Sequence, residues 1–140
     1  MVYLDRGEKF FPSDIETHVL NTHPTTNFTA IKDAPDPLVL SNLDMLNPLG
    51  GKRVHLTSTY TLFNLPGYLY GERPDSTTLQ THNAKTSAII VVDKGDDIVD
   101  AFYIYFYTFN EGPSAFGHRV GNHLGDWYVP SLAQLLSASH

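Results

Sequence analysis

Two β-prone runs, "SAIIVV" at 87–92 and "IVDAFYIYFYTF" at 98–109, stand on either side of "DKGDD". Branched and aromatic side chains suit a pleated surface, while Asp and Gly accept the backbone angles that a tight reversal demands. The pattern predicts a long antiparallel hairpin over about 87–109, and few folds accommodate one without building a sheet around it. In the second run Phe102, Ile104 and Phe106 alternate with Tyr103, Tyr105 and Tyr107. One face is therefore apolar and the other phenolic, and the phenolic face can be buried too if each hydroxyl finds a partner.

Weaker signals surround the hairpin. Ser13 and Glu16 have the spacing of a capping box, which predicts a short helix over about 13–21. Ser41 with Asp44, Leu43 with Leu46, and the stop at Pro48-Leu49-Gly50-Gly51 predict a second helix over about 41–47. Val54, Leu56 and Ser58 alternate with His55, Thr57 and Thr59 in the manner of a short strand. Pro35 and Pro37 mark a loop, and "LPGYLYGERPDSTTLQTHNAKT" reads as a long surface connection. No repeat is visible. The fold class is mainly β (α+β): an antiparallel sheet with two short N-terminal helices, in the pattern of an incomplete sandwich.

A chain of 140 residues, 41% hydrophobic and 17% charged, holds one modest core and no second one. Nine basic residues against fifteen acidic ones, a net charge of -6, and no basic run leave no footprint for phosphate backbones, so nucleic acid is not an expected partner. No stretch reaches the roughly eighteen apolar residues of a membrane helix, and "MVYLDRGEKFF" lacks the apolar centre of a signal peptide. Without cysteine there is no disulfide, thiolate nucleophile or Cys-ligated zinc. Asn27-Phe28-Thr29 fits the acceptor pattern for N-glycosylation. Protein and carbohydrate both remain open as partners.

The chemistry concentrates in "GHRVGNHLGDW". His118, His123 and Asp126 suit a divalent metal, the one cofactor the sequence leaves open, or a His–Asp general-base pair. Two histidines five apart do not share a helix face as His-x-x-x-His does, and beside Gly117, Gly121 and Gly125 they equally suit loop residues that satisfy backbone amides. Trp127 suits a packing anchor or a stacking platform. Asp93, Asp96, Asp97 and Asp100 lack the register of a calcium loop and read as a solvated turn. His18, His23, His55 and His82 are scattered and expected at the surface, and no G-x-S-x-G elbow is present.

Five ordered blocks, "FFPSDIETHVLNTHPTTNFTAI", "PLVLSNLDMLNPLGGKRVHLTS", "YLYGERPDS", "VDAFYIYFYTFNEG" and "GNHLGDW", give residues 2–127 a specific likeness. The chain resembles the fungal vacuolar protein sorting-associated protein 62 family. The resemblance marks Gly121, Asn122, His123, Gly125, Asp126 and Trp127 as a family signature. It implies a vacuolar, endomembrane or secreted setting, because the family takes its name from a sorting phenotype. In the family this block continues into Glu-His, whereas here Tyr128-Val129-Pro130 follow.

The resemblance therefore divides the chain into a partial family domain, 1–127, and an unrelated tail, 128–140, expected to form a short, poorly anchored helix. Met1 is expected to be an internal start. The expected role is non-enzymatic, binding or structural. The alternatives are a metal-assisted hydrolase built on His123 and Asp126, and an inactive truncated product that exposes an apolar edge on the hairpin.

Overall fold

The computed structural model describes residues 4, 6–81, 83–96, 98–115, 117–129 and 132–136. The order is α1 (Ile15–Leu20), β1 (Thr22–Thr26), β2 (Thr29–Ala30), β3 (His55–Ser58), β4 (Ser87–Gly95), β5 (Ile98–Asn110), β6 (Ser114–Ala115), β7 (His118–Arg119), β8 (His123–Tyr128) and β9 (Leu132–Leu136). The fold is mainly β, as the sequence predicts. One sheet runs β2-β1-β3, a second runs β4-β5-β8 with β9 also on β5, and β6 pairs with β7. Every pairing is antiparallel.

The predicted hairpin is the spine. β4 pairs with β5 from Ser87↔Tyr105 to Gly95↔Ile98, with a bulge between Asp93 and Gly95. Gly95 and Asp96 take positive φ at the reversal, and the Asp93 carboxylate accepts the Gly95 amide at 2.8 Å. That bond is the local job of an aspartate in the acidic turn; Asp97 lies outside the described residues. Along its other edge β5 meets β8 and then β9, from Asn110↔His123 to Tyr105↔Tyr128 and from Phe102↔Leu132 to Ile98↔Leu136. The two short strands lie end to end beside one long one. Residues 132–136, expected to be helical, are a strand because β5 continues past Tyr105 and offers them an open edge to pair with.

The first predicted helix forms, but with a different cap. Asp14 accepts the Thr17 amide at 3.0 Å and the Thr17 hydroxyl at 2.7 Å. Burial raises the Asp14 pKa, yet the Thr17 hydroxyl and the Lys85, Thr17 and Glu16 amides together hold it below its usual value. Ser13 is freed from capping and is buried against β5 instead. The second helix is a 3₁₀ helix, Leu40–Leu46, closed by i→i+3 bonds such as Asn47 to Asp44 at 3.0 Å. Its start is tied by Asn42, whose side-chain oxygen accepts the Val39 amide at 2.8 Å, rather than by Ser41.

Where chain length predicts one modest core and no second, the described residues form two small ones, because the N-terminal sheet and the β5 sheet each bury their own apolar side chains. Val19, Leu38 and Leu46 form one beneath the N-terminal sheet. Phe10, Leu69 and Phe109 form the other against β5. Leu69 corrects the reading of 65–86 as a surface connection: it is fully buried, because the 3₁₀ turn Gly67–Tyr70 turns it under the two phenylalanines.

Candidate functional site

The strand "HLGDWY" is held by its ladder to β5 and by packing. Before it, the Asn122 side-chain oxygen accepts the Gly112 amide at 2.8 Å, which sets where β8 begins. Leu124 packs on the Phe10–Leu69–Phe109 core. Gly125 has φ +72°, and a Cβ there would lie 3.8 Å from the His18 ring, so this position suits glycine on backbone grounds. Trp127 covers Phe106 with ring centroids 4.9 Å apart, acting as an anchor although 49% of it is exposed. Gly121 also takes positive φ, as the chain turns into the strand.

The polar members lie on the open side. His123 Nε2 is 3.5 Å from Asp126 Oδ2, and its Nδ1 is 3.0 Å from the Gly121 carbonyl. A carbonyl only accepts, so Nδ1 carries the proton there and Nε2 is left facing the carboxylate. The Asn110 amide donates to the same Asp126 oxygen at 2.8 Å. His118 falls in β7, and its side chain lies outside the described residues. Among the described residues no group of three His, Cys, Asp or Glu side chains could hold a metal. With Nδ1 holding the proton and Nε2 at 3.5 Å, the pair lacks the N–H···carboxylate bond by which an orienter holds a base, and among the described residues it is short of a metal shell by at least one ligand.

Asp126 also lines a cavity of about 520 Å³ between the N-terminal segment 7–10 and the β5–β8 pair. The register sets Tyr107 opposite Asp126 and Tyr105 opposite Tyr128. Phe10 and Phe109 form its apolar floor, packed edge to face at 5.1 Å. Glu8 is fixed by accepting the Lys9 and Phe10 amides, each at 2.9 Å. Glu111 is engaged by Arg119 and lies 3.9 Å from Lys9 Nζ. Burial raises the Tyr107 pKa, and Glu8, Tyr128 and Tyr105 raise it further, a sign of an electronegative cleft. His123 is not part of its lining.

One residue escaped the sequence reading. His18, expected at the surface, is buried and packs edge-on against Phe106 at 4.9 Å. Its Nδ1 has no hydrogen-bond partner among the described residues, and burial pushes its pKa down to about 4. Position i+4 from the Asp14 cap, next to buried Val19, was the available signal. Asn27 sits with Phe28 at the exposed tip between β1 and β2, both at positive φ. His55 is exposed and His23 half-buried, while His82 lies outside the described residues.

Fold and site together define a small, mainly β domain with a polar, aromatic-walled cleft beside a glycine-punctuated strand. No protein-family model matches it, and no solved structure does. Two proteins of Saccharomyces cerevisiae are similar over 91% of this chain. They are "Putative vacuolar protein sorting-associated protein TDA6", 36% identical over 141 residues, and "Vacuolar protein sorting-associated protein 62", 33% identical over 139 residues. The chain belongs to the vacuolar protein sorting-associated protein 62 family. It spans 30% and 29% of the lengths of those two relatives.

Proposed function

We propose that this chain is a non-enzymatic binding domain of vacuolar protein sorting, working in the endomembrane or secretory system. The setting is supported by the names of the two yeast relatives. The binding role rests on the cleft, where exposed Tyr128 and half-buried Tyr107 stand beside the planar side chains of Asn110 and Asp126. Flat rings suit the apolar faces of a sugar, and fixed amide and carboxylate groups suit its hydroxyls. A carbohydrate is therefore the ligand class favoured over an acidic one. Residues 1–127 form the family portion in this reading, and 128–140 a segment outside it. No helix among the described residues is long and apolar enough to cross a membrane.

The test is an oligosaccharide array probed with the labelled chain and with Tyr128→Ala and Asp126→Asn. Retention by the parent chain, lost in both variants at unchanged thermal unfolding, is the expected result. An array that retains nothing removes the carbohydrate reading.

A second reading, metal-assisted hydrolysis, is favoured by the 3.5 Å approach of His123 to Asp126. Calorimetric titration with Zn²⁺ and Mn²⁺ decides it. Micromolar binding that disappears in His123→Ala supports that reading, and heats equal to dilution dismiss it.

A further inference from the structure

β4 carries Ile89, Ile90, Val91 and Val92 in succession, so two apolar side chains point to each face of the sheet. Their exposures are 56%, 50%, 63% and 38%, so neither face is covered. A strand that is apolar on both sides is ordinarily an inner strand of a sheet packed front and back. Yet β4 ends its sheet: one edge bonds to β5, and the other has no strand beside it among the described residues. The run has no proline and no charge, and its bulge lies beyond it, between Asp93 and Gly95. The devices that normally blunt a free edge are missing where they are needed.

We propose that β4 is an inner strand of a larger sheet, paired and covered by a β-rich segment that the family carries outside the part matched here. A second copy of this chain fits less well. Edge-to-edge pairing of two β4 strands would satisfy their free amides and carbonyls but leave the Ile and Val side chains of both copies bare on each face. Covering both faces takes additional layers. The two yeast relatives have the sequence to supply them, since the matched part is 30% and 29% of their length. The inference is independent of the cleft, which is lined by none of the β4 residues.

Hydrogen exchange tests it. This chain is inserted into the yeast vacuolar protein sorting-associated protein 62 in place of the matching segment, and amides 89–92 are compared between that chimera and the 140-residue chain. Exchange slower by about a hundredfold or more in the chimera is expected. Val91→Lys should lower the chimera's melting temperature while leaving the 140-residue chain unchanged. Equal exchange in both overturns the proposal. So does a 140-residue chain that sediments as a dimer and is returned to monomer by Val91→Lys, which would name the second copy as occupant. If the chimera does not fold, the same comparison between the intact yeast protein and its own matching segment decides the question.

Discussion

The Ser13 hydroxyl accepts the buried amide of Thr108 at 2.9 Å, across 95 residues of sequence. The same hydroxyl donates to the Phe11 carbonyl at 3.2 Å, and the Ser13 amide donates to the Phe106 carbonyl at 2.7 Å. Ser13→Ala leaves the Thr108 amide without its acceptor in a buried site. The expected loss is about 1–3 kcal/mol, measured by urea unfolding with an unchanged slope.

Gly71 stands against the same segment. It has φ +72°, and a Cβ there would lie 2.0 Å from the Phe11 carbonyl oxygen. Gly71→Ala must move the N-terminal segment or the turn, on top of a backbone strain of about 1–3 kcal/mol. Gly67→Ala, with nothing within 4 Å of its Cβ, is the control and should be neutral or slightly stabilising. Thermal unfolding of the two variants in parallel separates crowding from chain entropy.

His18 makes stability fall with acid. The unfolded ring takes up a proton near its ordinary value of 6.5, while the folded one resists until about 4. Below 6.5 the unfolded state therefore binds more protons, and stability declines as pH drops toward 4, by about 3 kcal/mol in full. Asp14, held below 3.8, loses its own contribution only beneath that window. Unfolding at pH 7 and pH 5 should show a smaller difference in His18→Gln than in the parent chain, even though the variant starts less stable.

Asn27 should accept a glycan when the chain is directed through a secretory pathway, since it sits exposed at a two-residue reversal. Mass spectrometry of the secreted product should show one modification at this site, lost in Thr29→Ala. An unmodified product would remove the site from consideration.

The hairpin was legible because period-two alternation over so many residues has one regular solution, and the two short helices because their breakers are local. β1 was not legible: "THPTT" has neither a hydrophobic alternation nor a permissive centre, and Pro24 is tolerated there because β2 pairs only with Thr25 and Thr26, so the missing N–H falls at the end of that ladder while the Pro24 carbonyl still accepts the Ile31 amide at 3.1 Å. Ser13 looked like a cap since Glu16 follows at the right interval, and only the long-range pairing with Thr108 shows why Asp14 takes that role. The polar cluster split for the same reason. His123 and Asp126 meet along one strand, within reach of sequence reasoning, but the cleft that Asp126 enters is made by residues from 4 to 128. Burial of His18 likewise depends on Phe106, far along the chain.

The wedge of residues 10–13 between the 3₁₀ turn Gly67–Tyr70 and β5 also sets an order of assembly. Phe10, Leu69 and Phe109 complete one core only when all three are present, so the segment around Phe10 cannot be buried in it until residue 109 has emerged from the ribosome. Such distant closure makes folding slow relative to a helical chain of this size. Ninety-nine positions separate Phe10 from Phe109, and while that stretch is being synthesised "KFFP" stays open to capture by a chaperone.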